Sequence, residues 1–169
     1  MTANPEPTKP IMLSEDSLKK IAREVAKFPP DQKQSAVMAA LAIAQDQFGW
    51  LPPEARAEVA KVLDMAPVAV DEVATFYAMY NMKPVGKHKI TVCTNLPCAL
   101  SGGERAALYL KNKLAVEFRE TSAEGITLME GECMGACGDA PVMLVDNKRM
   151  CGFMSDDKID ALVAELAGK

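Results

Sequence analysis

The hydrophobic pattern of this 169-residue chain changes period once, around Lys83-Pro84-Val85-Gly86. That change limits the fold more than any other feature. Before it, apolar residues recur every three or four positions, as amphipathic helices require. Ser14 is placed to cap a helix running to about Lys27, with Leu18, Ile21 and Val25 on one face and Pro29-Pro30 stopping it. Asp31 and Gln34 resemble a capping box ahead of a helix carrying Val37, Leu41, Ala44 and Phe48. Pro52-Pro53 open a third helix, holding Val59 and Leu63. Pro67 opens a fourth, with Val70, Val73, Phe76, Tyr77 and Tyr80 inward. The expectation is a helical bundle over residues 14–85, preceded by a flexible tail over 1–13 that has three prolines in its first ten residues.

After the boundary the period falls to two. Lys89-Ile90-Thr91-Val92-Cys93 alternates β-branched residues as a strand does. Gly102-Gly103 precede a helix from about Glu104 to Leu114, with Ala107, Leu110 and Leu114 inward. Ile126 to Glu130 reads as a second strand. Val142 to Val145 and Arg149 to Phe153 read as a hairpin turning at Asp146-Asn147. Ser155 opens a last helix containing Ile159, Leu162, Val163 and Leu166. The order β-α-β-β-β-α implies a small sheet over residues 86–169 with a helix on either side. The whole chain is then α+β, a helical bundle followed by an α/β domain.

Four of the five cysteines fall into two pairs, Cys93-x4-Cys98 and Cys133-x3-Cys137, separated by 34 residues. Each pair follows a predicted strand, so both occupy loops at one end of the sheet. Two loops offering two thiolates each suit a rhombic Fe₂S₂ core, one pair per iron. Such a core is a dianion that gains a further charge on reduction, so it needs backbone N–H donors brought close. The loops are accordingly small: Ala99, Ser101 and Gly102 beside one pair, Gly131, Gly135, Ala136 and Gly138 around the other. Pro97 and Pro141 stiffen the paths. Four cysteines also suit structural zinc, but zinc sites usually use C-x₂-C knuckles, which are absent. Buried structural thiols or a Cys133–Cys137 disulfide are the plainer alternatives. Without C-x-x-C, thiol–disulfide exchange is disfavoured. Cys151 lies within a predicted strand and reads as a buried, inert thiol.

Composition removes other classes. A net charge of −4 argues against nucleic acid, which wants a basic face. The longest apolar run, Ala36 to Ala44, is about half a membrane span. The N-terminus lacks an export or transit pattern, which points to a reducing compartment and to metal ligation over disulfides. His88, the single histidine, reads as a solvated surface residue without a nucleophile to serve. No G-x-G-x-x-G or P-loop follows a strand, so a nicotinamide, flavin or phosphate would have to sit on another subunit.

Three stretches carry a resemblance: Glu72-Val73-Ala74-Thr75-Phe76-Tyr77 through Gly86, Val92-Cys93-Thr94-Asn95-Leu96-Pro97-Cys98, and Gly131-Glu132-Cys133-Met134-Gly135-Ala136-Cys137-Gly138-Asp139-Ala140-Pro141. Together they closely resemble the small [2Fe–2S] subunit of respiratory complex I, NADH:quinone oxidoreductase, over nearly everything from residue 14 onward. The resemblance implies a thioredoxin-like ferredoxin domain after the helical one, with the cluster on Cys93, Cys98, Cys133 and Cys137. It also implies an electron-transfer role without catalytic residues. One electron would pass between the cluster and FMN on a partner flavoprotein subunit, which alone would hold FMN and NADH. The expected place is cytoplasmic, in a peripheral arm at the inner face of a bacterial membrane. Thr75 to Tyr80 would serve the linker and a subunit interface. The same module in an NAD-linked formate dehydrogenase or an NAD-reducing hydrogenase, or a free-standing ferredoxin-like shuttle, stands as an alternative. Glu130, Glu132 and Asp139 flank the second loop, and carboxylates that close to the cluster would lower its potential.

Overall fold

A computed structural model describes residues 12–168, which divide between Pro84 and Val85 into two units, each with its own core. The expected tail lies outside the described residues except for Met12 and Leu13. Leu13 is buried in the core of the first unit.

The first unit is helical: α1 (Glu15–Val25), α2 (Val37–Phe48), α3 (Pro53–Leu63) and α4 (Pro67–Phe76). Ser14 caps α1 by accepting from Ser17 N at 3.1 Å, leaving one orphan donor fewer. The helix ends at Val25 and buries Ile21, while Leu18 points outward. No capping box forms at Asp31. A 3₁₀ turn over Lys33–Ala36 leads directly into α2. Prolines in the first turns of α3 and α4 have no amide hydrogen to waste, as helix starts favour. Ile21, Leu41, Leu51, Leu63 and Val70 are fully buried, each contributing about 1.5–3 kcal/mol. α4 stops at Phe76, because Tyr77 is extended at φ −92° and ψ 121°. Phe76, two residues on from the buried Ala74, lies on the outer side of the helix and is 81% exposed, and Tyr77 beyond the helix end is exposed too, whereas Tyr80 returns to the core.

The second unit holds β1 (His88–Cys93), α5 (Leu96–Leu100), α6 (Gly103–Leu114), β2 (Ile126–Gly131), β3 (Met143–Val145), β4 (Arg149–Cys151) and α7 (Asp156–Ala167). The sheet order is β2-β1-β3-β4, with β1 and β2 parallel and the other pairs antiparallel. Ile90, Val92, Ile126, Leu128, Met143 and Val145 form one core with Ala106, Leu110 and Leu114 of α6 and Ile159, Leu162 and Leu166 of α7. Both long helices thus lie on the same face, not on opposite faces as expected. Arg105 to Asp156, Tyr109 to Asp160 at 2.9 Å and Lys113 to Asp160 at 2.8 Å join them. The hairpin turns at Asp146 and Asn147, both with positive φ, as a type I′ turn requires. β4 is shorter than expected and ends at Cys151. Asp146 clips this turn to β1: its Oδ1 accepts from Lys89 N at 2.8 Å and its Oδ2 pairs with His88 Nδ1 at 2.8 Å. His88 is consequently mostly covered, against the expectation of a solvated residue. Among the described residues no helix is long and apolar enough to cross a membrane.

Candidate metal centre

Because β1 and β2 run parallel and end in register at Cys93 and Gly131, both following segments leave the same end of the sheet. Cys93 is the last residue of β1 and is buried. Cys98 is buried within α5. Cys133 and Cys137 lie on the second segment, exposed, their sulfurs 3.5 Å apart. The short helix α5 went unread in the sequence. Its start was nevertheless written in Asn95-Leu96-Pro97, a cap residue followed by a first-turn proline. The Asn95 side chain accepts from Leu96 N at 3.0 Å, and Pro97 sits in the first turn.

The thiols respond to one another and to nearby amides. Burial pushes the Cys98 thiol up, its hydrogen bond with Cys93 adds to this, and the Val142 N–H works against it. The Gly135 N–H holds Cys133 below the ordinary thiol value, helped by Cys137. Cys137 is raised by its hydrogen bond with Cys133 and, further out, by Cys93. The thiols are thus gathered in two pairs that sense each other. Among the described residues no three Cys, His, Asp or Glu side chains are gathered around a single point.

The surroundings suit an anion bound by sulfur. Gly135 has φ +74° with open space where a Cβ would stand, so the loop turns there without strain. Its amide points at Cys133. Gly103, at the start of α6, packs so tightly that a Cβ would lie 2.8 Å from the carbonyl oxygens of both Cys93 and Cys98. Side chains also join the two segments. Thr94 Oγ1 donates to Glu130 Oε1 at 2.8 Å, and Asn95 Nδ2 donates to Glu132 Oε2 at 2.7 Å. Two of the three carboxylates flanking the second loop are therefore held against the first. Cys151 stands apart, packed against the sheet core from β4.

Four thiols in two pairs that influence one another, with backbone donors beside two of the sulfurs, are the donor set of the class of proteins that hold a metal cluster on thiolates. The chain belongs to the thioredoxin-like [2Fe-2S] ferredoxin family, which it matches over residues 21–167. It is 40% identical over 160 residues to an NADH-quinone oxidoreductase subunit of Rickettsia bellii (strain RML369-C), covering 94% of this chain and 91% of that protein. The like-named subunit of Rickettsia prowazekii (strain Madrid E) is 42% identical over 125 residues, 73% of this chain and 71% of that one. Among solved structures, an NAD+-reducing [NiFe]-hydrogenase in the H2-reduced state superposes with a TM-score of 0.65 at 21% identity. That match covers 76% of this chain and only 22% of the hydrogenase chain, so it speaks for the fold. The donor set fits the [2Fe–2S] cluster of the family: four thiols in pairs, small residues, and amides directed at sulfur.

Proposed function

We propose that this chain is the [2Fe–2S] electron-transfer subunit of an NADH:quinone oxidoreductase, with Cys93, Cys98, Cys133 and Cys137 as ligands. The observation that carries the reading is the gathering of the two thiol pairs at one end of the parallel β1–β2 pair. The 40% identity to an NADH-quinone oxidoreductase subunit, over 91% of that protein's length, supports it. In this reading residues 14–85 are a helical domain and 86–169 the cluster domain. When bound, the cluster supplies a one-electron couple. The chain itself contributes ligation, insulation and docking. Cys93 and Cys98 shield one side of the site by their burial. The exposed Cys133–Cys137 pair faces outward, where a partner can approach.

The partner would be the flavoprotein subunit that holds FMN and NADH, within a peripheral arm at the cytoplasmic face of the membrane. Exposed Phe76 and Tyr77, edge to face at 5.0 Å, and exposed Val68 are the kind of apolar surface that an assembly covers. The test is purification of the native complex, with iron and sulfide assay of this chain and EPR after reduction. Two iron and two sulfide per chain are expected, with loss in Cys133→Ser and Cys137→Ser and co-purification of a flavin-containing subunit. One zinc per chain would overturn the ligand reading, and a chain that purifies alone from its native source would overturn the subunit reading.

A further inference from the structure

The strand ladder stops at Cys93 and Gly131, yet the two ligand segments stay joined past that point. Thr94 N donates to Gly131 O at 3.3 Å, Thr94 Oγ1 reaches back to Glu130 near the end of β2 at 2.8 Å, and Asn95 Nδ2 reaches Glu132 just beyond it at 2.7 Å. Thr94 directly follows one thiol residue and Glu132 directly precedes another. Asn95 does two things: its oxygen caps the helix that carries Cys98, and its amide nitrogen reaches the segment that carries Cys133. We propose that these two side-chain pairs form a clasp that sets the spacing between the two thiol pairs, which makes Thr94, Asn95, Glu130 and Glu132 positioning residues for the cluster. The inference rests on the ligand assignment proposed above.

The physical case is one of preorganisation. A bridging cluster is held well only where both thiol pairs already stand at its span. The second segment, with Gly131, Gly135 and Gly138, has backbone freedom that is costly to fix. Bonds to carboxylates are the stronger kind. Because Glu130 and Glu132 are exposed, water competes for them, and their share of global stability is small. What they restrain is the opening of one ligand segment away from the other.

The test uses the full chain with its cluster reconstituted, and follows the bleaching of visible absorption in excess EDTA. Thr94→Val removes the hydroxyl at constant charge and shape, while Thr94→Ser keeps it. Asn95→Asp keeps the helix cap but cannot donate to Glu132. Adding Glu132→Gln to that variant restores a donor across the gap. Thr94→Val and Asn95→Asp should each lose the cluster about five-fold faster, the factor that corresponds to one hydrogen bond of about 1 kcal/mol. Thr94→Ser should behave as wild type, and Asn95→Asp with Glu132→Gln should recover. The urea midpoint of the cluster-free chain should move in none of them. Equal loss rates in all variants would overturn the clasp, as would a fall in urea midpoint large enough to account for the faster loss. So would disappearance of the Asn95→Asp effect at about 1 M salt, where the Debye length is about 3 Å, since that marks charge repulsion. A wild-type chain that holds no cluster would overturn the ligand assignment and the clasp with it.

Discussion

Gly103 is the position where one added methyl group should be felt most sharply. Its ideal Cβ would stand 2.8 Å from Cys93 O, 2.8 Å from Cys98 O and 2.9 Å from Cys98 C, whereas ordinary contact begins at 3.4 Å. Gly103→Ala therefore requires both carbonyls to retreat by about 0.6 Å (3.4 less 2.8 Å), and both are backbone atoms of proposed ligands. Overpacking of this kind costs about 1–3 kcal/mol. Alanine in a helix regains at most about 1 kcal/mol over glycine, less at a first helical position, so the net expectation is a loss of about 1–2 kcal/mol. Urea unfolding of the cluster-free chain should show a lower midpoint with an unchanged slope. The reconstituted protein should bleach faster in EDTA, because the displacement falls on Cys93 and Cys98. Gly168→Ala, whose Cβ would meet nothing closer than 3.4 Å, is the neutral comparison. A Gly103→Ala chain as stable as wild type, with an unaltered visible spectrum, would refute the reasoning. It would show that the ligand segments yield at no cost.

Cys151→Ser should keep the full visible absorption and iron content, because Cys151 packs against the sheet core from β4, apart from the paired thiols. Glu132→Gln should raise the reduction midpoint measured by EPR titration at low salt, since the carboxylate is pinned beside the first ligand segment, and added salt should shrink the difference. Tyr80→Phe should cost about 1 kcal/mol in urea unfolding at neutral pH, the worth of its 2.8 Å bond to Met38 O. Burial pushes the Tyr80 phenol up from 10.0 to about 12. The stability that comes from keeping it neutral is thus full below pH 10 and fades as pH rises towards 12, and Tyr80→Phe should flatten that alkaline decline.

Much of this architecture was legible because local signals agreed with the tertiary outcome. Ser14 and Ser155 cap helices as read, since a hydroxyl at a helix start satisfies an orphan amide whatever packs nearby. Pro53 and Pro67 open helices for a reason equally local. The change of period near Pro84 falls where the two units divide. Cys93, Cys98, Cys133 and Cys137 stand out by their spacing and by the strand before each pair, and the parallel β1–β2 register brings the segments that carry them out at the same end of the sheet.

What the sequence hid depends on long-range geometry. A helical period reads as carrying Phe76 and Tyr77 along the inward stripe, but Phe76 falls opposite the buried Ala74 on the helix, and the extended Tyr77 ends the helix with its ring exposed. An amphipathic pattern in α6 and α7 shows that each buries one face without saying which side of the sheet it covers. The choice is made by the crossover and by pairs such as Tyr109 with Asp160. Glu130 and Glu132 show the same limit at the site. Read along the chain they are charges beside a ligand loop, and only their distance to the cluster matters. In the fold they accept hydrogen bonds from Thr94 and Asn95, residues some 36 positions away, and their charge becomes inseparable from their geometry. A carboxylate that disfavours the reduced cluster by repulsion is then also what holds the ligand segments together. Exchanging the oxygen charge for an amide (Glu130→Gln) and removing its donor (Thr94→Val) separate the two effects at that pair, because the first changes charge with an acceptor retained and the second changes the bond with charge retained.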